Sequence, residues 1–246
     1  MKPVRTALAA ILALAVAPAA TTAFAKSPHN PQIHSYILLD RTGSMEPRWT
    51  EALSSVNTYA KELGDLDGGP RVDAEITLAA FDAQDGMQFD VLRDDVDARH
   101  WRKVTSDEVS PRGMTPLYDA IGRMVSLAEK DHPEKAVIVI MTDGEENSST
   151  EMTKKSAKAA LDRVRAKGWE VVFLGAEFAN FNDAEGVGQT ASRNMAVSKD
   201  QLQDSMSRLA KKSKDFAAGA APSVEWNAED RAAAKEDEVK RQNNQH

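Results

Sequence analysis

The chain has 246 residues, with 31 lysine and arginine residues against 38 aspartate and glutamate residues, so its formal net charge is −7. This acidic balance argues against a nucleic-acid-binding protein, because contacts with phosphates require a concentrated basic surface. The chain contains no cysteine, which excludes disulfide scaffolds, iron–sulfur clusters, thiolate zinc sites and cysteine nucleophiles.

The first 25 residues have the organisation of a secretory signal peptide. Two basic residues, Lys2 and Arg5, precede an apolar run over 7–17, and the sequence AFA follows at 23–25. The run is shorter than the roughly 20 apolar residues that a membrane-spanning helix needs, so we favour a cleaved signal over a retained membrane anchor. Cleavage after Ala25 would leave 29 basic against 38 acidic residues, a net charge of −9. We expect an exported protein, periplasmic or secreted, with no membrane span in the mature chain.

Strand-like and helix-like patterns alternate over residues 31–217. Apolar or alternating runs predict strands at 33–39, 72–80, 87–92, 136–141, 169–174 and 195–198. Apolar residues at three- and four-residue spacing predict helices at 49–63, 117–128, 151–167 and 199–216, with a weaker helix near Asn182. This alternation predicts an α/β fold, a doubly wound and mostly parallel sheet with helices on both faces.

The last part of the chain, 218–246, differs in composition from the predicted domain. It is dominated by Ala, Glu, Lys, Asn and Gln, and Trp226 is its only aromatic residue. We interpret it as a polar tail that is partly helical or disordered. The predicted organisation is therefore a signal peptide at 1–25, one domain at 31–217 and a tail at 218–246.

Oxygen-bearing side chains are concentrated where ligands bind in this class of fold. Ligands of open α/β sheets lie beyond the carboxyl ends of the strands. Asp40, Thr42 and Ser44 follow the first predicted strand, Asp143 follows the strand at 136–141, and Thr115 comes just before the second predicted helix. Two carboxylates and three hydroxyls suit a hard divalent cation, with Mg²⁺ the first choice and Mn²⁺ or Ca²⁺ also compatible. Each residue alone is also explained as a helix cap or a turn, but their combination favours a metal site.

These segments resemble the von Willebrand factor A domain, whose metal-ion-dependent adhesion site combines D-x-S-x-S with a distant Thr and a distant Asp. The sequence DRTGS at 40–44 matches the first element, with Thr42 keeping a hydroxyl where the motif has its first Ser. Thr115 matches the Thr element and Asp143 the Asp element. Over 31–217 the resemblance implies a Rossmann-like fold and a module that binds a carboxylate of a protein partner through the metal, in adhesion or complex assembly, without catalysis.

One departure from the family concerns the residues that follow this motif. Integrin β chains continue with paired aspartates that build an adjacent cation site, and this chain has Pro47 and Arg48 there. The resemblance therefore does not imply a second metal of that kind. It also leaves the identity of the protein partner open.

An enzyme is the alternative hypothesis. The segment 40–44 also resembles D-K-T-G-T, the loop in which an aspartate is phosphorylated, and Asp40 would then be a nucleophile and Asp143 a magnesium ligand. The later sequence TDGEEN at 142–147 lacks the G-D-x-x-x-D order of those enzymes, and exported proteins rarely meet ATP. A secreted aspartyl-phosphate-type phosphatase or phosphotransferase remains the second candidate.

Overall fold

The computed structural model describes residues 30–143, 146–176, 186–188 and 190–243. The predicted signal peptide at 1–25 and the weaker helix predicted near Asn182 lie outside the described residues.

Six strands form a single sheet. Their bounds are β1 Gln32–Asp40, β2 Asp73–Ala83, β3 Met87–Asp97, β4 Ala136–Thr142, β5 Glu170–Ala176 and β6 Asn194–Val197. The strand order is β3-β2-β1-β4-β5-β6, and neighbouring strands are parallel except for the antiparallel pair β2 and β3. A short turn joins these two strands, so β3 forms an antiparallel edge on an otherwise parallel sheet.

Helices cover both faces of this sheet, which confirms the predicted doubly wound fold. Their bounds are α1 Trp49–Gly64, α2 Leu117–Asp131, α3 Lys154–Ala166, α4 Leu202–Ala217, α5 Ala228–Ala233 and α6 Glu236–Asn243. Successive residues of a strand point to opposite faces: Ile37 packs with α1 and α4, whereas Leu38 packs with α2 and α3. None of the helices in the described part of the chain is both long enough and apolar enough to cross a lipid bilayer.

The position of β1 creates the switch point of the fold. From β1 the chain passes to β2 on one side, and β4 later pairs with the other side of β1. The parallel register places Leu39 opposite Met141, so the next residues, Asp40 and Thr142, lie side by side at the carboxyl ends of the two strands. Open α/β sheets bind their ligands at this kind of crevice.

The C-terminal segment lies along the β6 edge of the sheet. Val224 and Trp226 are 1% and 5% exposed. The Ser198 N–H donates a hydrogen bond to the Ala234 carbonyl, 3.0 Å away. These contacts place α5 and α6 beside a strand edge that would otherwise present unpaired backbone groups to solvent.

Candidate metal centre

Asp40 is the last residue of β1, and its carboxylate is completely buried. Its Oδ1 accepts a hydrogen bond from the Thr42 N–H at 2.7 Å, and its Oδ2 accepts one from the Thr142 hydroxyl at 2.7 Å. Burial raises the pKa of Asp40 to about 7, and the charge of Asp143 acts in the same direction. Among the described residues Asp40 forms no ion pair, so a cation placed here would relieve a buried negative charge.

Thr42 and Ser44 follow in the loop that leaves β1. The Thr42 side chain is buried and its Oγ1 lies 3.1 Å from the Ser44 Oγ, while Ser44 is exposed. The Ser44 hydroxyl also donates a hydrogen bond to Asp143 Oδ1 at 2.7 Å. A continuous line of hydrogen bonds therefore joins Asp40, Thr42, Ser44 and Asp143, and it reaches solvent at Ser44.

Asp143 follows β4 directly and completes this line. Its side chain is fully buried, and its Oδ2 accepts a hydrogen bond from Arg48 Nη1 at 2.7 Å. Burial raises the pKa of Asp143, although the Ser44 hydroxyl and the Arg48 guanidinium act against this rise. The two oxygens of Asp143 thus bind two groups of the same short helical segment, Gly43–Arg48.

Thr115 lies on the neighbouring loop, before α2. The Gly43 N–H donates to the Gly113 carbonyl at 3.1 Å, which ties this loop to the segment after β1. The Thr115 N–H donates to Asn147 Oδ1 at 2.8 Å, which ties it to the segment after β4. Thr115 itself is 2% exposed. The structure thus places Thr115 between the two segments that carry the other four predicted ligands.

The donor set fits a hard divalent cation. It contains two carboxylates and three hydroxyls, and all of these atoms are oxygens. One carboxylate, Asp40, is buried without an ionic partner among the described residues. These residues would hold the cation in the crevice between β1 and β4.

Several residues outside the predicted ligand set position the loops. Arg41 donates from Nε to Asp82 Oδ2 at 2.5 Å and from Nη2 to Asp90 Oδ2 at 2.6 Å, and the side chain of Asp82 is fully buried. The Arg112 N–H donates to the Arg41 carbonyl at 2.7 Å, and Arg112 Nε lies 3.2 Å from Asp82 Oδ2. These ion pairs hold the segment after β1 against β2, β3 and the loop before Thr115. Arg41 is the second residue of the DRTGS segment, but its partners are distant in sequence.

The segment after Asp143 is fixed to the start of α2. The Asp119 carboxylate accepts hydrogen bonds from the backbone N–H groups of Glu151 and Met152, and the Glu146 carboxylate accepts one from the Tyr118 N–H. Acidic side chains at a helix N-terminus stabilise its unpaired donors. Thr142, Asp119 and Glu146 were not among the predicted site residues. In the sequence, their role in the site was indicated only by their polar side chains next to predicted strand and helix ends.

Comparison with known proteins gives one family and several similar structures. The family model of the von Willebrand factor type A domain matches residues 36–212. The chain is similar to a von Willebrand factor type A protein from Catenulispora acidiphila, with 17% identity and a TM-score of 0.52 over 75% of this chain and 43% of that one. It therefore spans less than half of the Catenulispora chain.

Two further similar structures come from other organisms. Manganese-loaded TRAP protein from Plasmodium vivax has 19% identity and a TM-score of 0.50, with 72% of each chain covered. The vWF domain of the type V pili tip protein Mfa5 from Porphyromonas gingivalis has 11% identity and a TM-score of 0.54, covering 74% of this chain and 95% of that one. At these identities the similarity concerns the fold.

Proposed function

This chain belongs to the von Willebrand factor type A domain family, and from that premise we propose that it is an exported, non-enzymatic module that binds a partner protein through a divalent cation. The proposed ligands are Asp40, Thr42, Ser44, Thr115 and Asp143. The observation that carries the proposal is the line of hydrogen bonds from the buried Asp40 to Asp143 through Thr42 and the exposed Ser44. It brings oxygen side chains from two distant parts of the sequence together at the carboxyl ends of β1 and β4, with Ser44 exposed to solvent.

The cation would supply a site for an anionic oxygen of the partner. A hard divalent ion keeps open coordination positions that water or a carboxylate oxygen fills. Mg²⁺ is the first choice, and Mn²⁺ and Ca²⁺ are compatible with the same ligands. The manganese in the similar Plasmodium vivax structure supports a divalent cation in this fold. We propose a side-chain carboxylate of the partner as the ligand.

The rim of the crevice adds an apolar contact. Met114 precedes Thr115 in the chain and is 54% exposed, one of three large apolar side chains that are exposed in the described part of the chain. Its backbone pairs with Ala83 in an isolated bridge, so its position is fixed. A partner segment with a carboxylate beside an apolar residue would match the metal and Met114 together.

Export is proposed from the N-terminal sequence. The basic residues, short apolar run and AFA sequence at 23–25 indicate cleavage after Ala25. The similar pili tip protein supports a role outside the cytoplasm for this kind of domain. We therefore propose that the domain at 31–217 and the C-terminal segment 218–246 lie in the periplasm or are secreted.

The geometry favours binding over catalysis at Asp40. A nucleophilic carboxylate needs an oxygen that the substrate can reach. Both oxygens of Asp40 accept hydrogen bonds and its side chain is fully buried. This environment suits a residue that orients water and hydroxyl groups around a cation.

Thermal unfolding with and without divalent cations tests the proposal. The protein is stripped with EDTA and then titrated with Mg²⁺, Mn²⁺ or Ca²⁺, and we expect a saturable rise in Tm. A ligand at a hundred times its Kd stabilises the folded state by about 2.7 kcal/mol. No response to any of the three cations would contradict the metal site. Release of phosphate from a general phosphatase substrate, lost in Asp40→Asn, would favour the enzyme instead.

The partner is sought by affinity capture from a native envelope extract. The full mature chain serves as bait, with Mg²⁺ in one arm and EDTA in the other. We expect a protein that is retained with Mg²⁺ and released by EDTA, and that is not retained by Asp40→Ala. Retention that is equal in both arms would contradict binding through the metal.

A further inference from the structure

A second group of side chains that can bind a metal lies near the amino end of β1, at the opposite end of the sheet from the candidate metal centre. His34, Asp95 and Asp131 each offer one ligand atom, and these three atoms lie within 4.8 Å of one another. The residues come from β1, from β3 and from the end of α2. His34 and Asp40 are six positions apart in β1, about 20 Å of extended strand, so the two groups are separate.

A β-bulge in β3 sets the position of Asp95. Two residues of β3, Asp94 and Asp95, lie opposite the single residue Thr77 of β2. Asp95 has a φ of +46°, and its N–H donates to Thr77 Oγ1 at 3.2 Å. Its Oδ1 lies 3.4 Å from His34 Nε2. Bulges redirect side chains in this way, and here the result is a carboxylate beside a buried imidazole.

The separation of these two atoms is that of two ligands of one tetrahedral cation. Zn²⁺ lies about 2.0–2.2 Å from an imidazole nitrogen or a carboxylate oxygen, so two such ligands at the tetrahedral angle are about 3.4 Å apart. Thr77 Oγ1 lies 2.9 Å from His34 Nε2, but a hydroxyl can turn its hydrogen to another acceptor when a cation takes the nitrogen. His34 and Asp95 can therefore bind one cation at their present separation.

Tyr36 orients two of the three ligands. Its side chain is completely buried, and its ring stacks on that of His34 with 4.0 Å between the centroids and 11° between the planes. Its hydroxyl donates to Asp131 Oδ2 at 3.0 Å, which leaves Oδ1 for a metal. Metal-binding side chains in proteins are typically held by outer contacts of this kind. This support distinguishes the group from a cluster of acidic side chains on a surface.

The carboxylates around His34 lack cationic side chains as partners. In the part of the chain that the structure describes, neither Asp95 nor Asp131 forms an ion pair with Lys or Arg. The same holds there for Glu75, whose Oε2 lies 3.9 Å from His34 Nδ1. Like charges this close repel one another, so a bound cation would relieve the repulsion.

We propose that His34, Asp95 and Asp131 bind a transition-metal cation, with Zn²⁺ the first choice. An imidazole combined with two carboxylates suits Zn²⁺, whereas Mg²⁺ prefers oxygen ligands alone. A water molecule would complete a tetrahedral set. The cation would tie the edge strand β3 and the end of α2 to the central strand β1, and would thereby stabilise the folded chain.

Calorimetric titration of the full mature chain with ZnCl₂ tests the proposal, in a buffer with excess Mg²⁺ to occupy the candidate metal centre. One variant is Asp95→Asn, at an exposed position where Asn also tolerates the left-handed backbone. The other is His34→Gln, whose amide can still bind Thr77. We expect wild type to bind one Zn²⁺ per chain, and both variants to bind it on the order of a hundredfold more weakly. Tyr36→Phe keeps the ring and removes the hydroxyl, and should weaken binding roughly tenfold.

Two controls separate coordination from a general attraction of charge. Asp94→Asn removes the same charge from the adjacent residue of the bulge, and His100→Gln removes an exposed histidine that lies 3.6 Å from Asp97. We expect both to keep their affinity for Zn²⁺ within about fivefold of wild type. Circular dichroism and urea unfolding in EDTA establish that each variant is folded, and Asp95→Asn decides the outcome if His34→Gln does not fold.

Equal losses of affinity in Asp94→Asn and Asp95→Asn would overturn the proposal, because binding would then depend on charge alone. Absence of Zn²⁺ binding by wild type, or unchanged binding by folded His34→Gln, would overturn it as well. We expect Asp40→Ala to bind Zn²⁺ as wild type does, and loss of binding there but not in Asp95→Asn would place the zinc at the candidate metal centre instead. The proposed function stands apart from these results, since the response of wild type to Mg²⁺ tests it separately.

Discussion

Thr142 donates the hydrogen bond of its hydroxyl to the Asp40 carboxylate at 2.7 Å, although the two residues are 102 positions apart. The contact joins the last residues of β1 and β4, which are parallel neighbours at the switch point of the sheet. Asp40 is completely buried, so the hydrogen bond from Thr142 helps to stabilise its charged form. Thr142 therefore helps to keep a proposed metal ligand ionised and correctly oriented.

We expect Thr142→Val to lower the free energy of unfolding by about 1–3 kcal/mol, because one oxygen of a buried carboxylate loses its donor while the side-chain volume is kept. The measurement is urea unfolding of the protein in EDTA. Thr142→Ser keeps the hydroxyl and is the matched control, with a smaller expected loss. Equal stability of Thr142→Val and wild type would mean that this hydrogen bond does not support Asp40.

The same residue shows what sequence patterns reveal and what they leave out. The apolar run at 136–141 predicted β4, but it stopped one residue short, because Thr142 is polar and breaks the pattern. The alternation of strands and helices was sufficient for the fold, since each element has its own periodicity. The contact between Thr142 and Asp40 depends on the register of two strands, which no local pattern contains. The contact between Arg48 and Asp143 also depends on the packing of two segments that are distant in sequence.

Contacts with residues that are distant in sequence also determine the structure of the C-terminal segment, 218–246. Its polar composition predicted a partly helical or disordered tail, and the structure has the helices α5 and α6 there, with Val224 and Trp226 buried. A few apolar residues spread over a polar stretch leave no clear periodicity, and their burial depends on the position of β6. Local sequence patterns predict such segments poorly, because tertiary contacts decide their structure.

Removal of the proposed metal ligands gives the most direct test of the metal site. Asp40→Ala and Thr115→Ala are each expected to abolish the rise in Tm that Mg²⁺ produces, because each removes an oxygen of the proposed donor set. Both variants should still unfold cooperatively in EDTA. The matched controls are Asp107→Ala and Thr105→Ala, which alter exposed residues of a loop outside the donor set. A full response to Mg²⁺ in Asp40→Ala would exclude this residue as a ligand.

Gly113 supports the loop of Thr115 through its backbone conformation. Its φ is +68°, and a Cβ at this position would lie 2.8 Å from the backbone of Ala83. Gly168 has a φ of +81°, and a Cβ there would meet no other atom within 4 Å. The two glycines therefore share the left-handed conformation and differ in the space around them.

We expect Gly168→Ala to cost about 1–2 kcal/mol of unfolding free energy, because only the left-handed backbone is strained. Gly113→Ala should cost a further 1–3 kcal/mol or so, since the methyl group also displaces the backbone of Ala83. It should also weaken the response to Mg²⁺, because Thr115 follows two residues later. Urea unfolding of both variants provides the comparison, and equal losses would show that the close approach to Ala83 is relieved without cost.

His34 lies near the amino end of β1, far along the strand from Asp40, and its side chain is 5% exposed. Its Nε2 lies 2.9 Å from Thr77 Oγ1, and its ring stacks on Tyr36 with 4.0 Å between the centroids. Burial lowers the pKa of His34 below its usual 6.5. The carboxylates of Asp95, Asp131 and Asp94 oppose this shift. Glu75 Oε2 also faces the ring, 3.9 Å from Nδ1.

This shift predicts a loss of stability in mild acid. Below pH 6.5 the unfolded chain takes up a proton on His34 that the folded chain binds less readily, so the stabilisation is present above pH 6.5 and is lost as the pH falls towards the lowered pKa. Each pH unit in that interval costs up to about 1.4 kcal/mol. We expect the free energy of unfolding to fall more between pH 7.5 and 5.5 in wild type than in His34→Gln, whose amide can still bind Thr77. Since both proteins contain the same surrounding carboxylates, the difference between them isolates His34, and an equal fall in both would show that its pKa is not lowered.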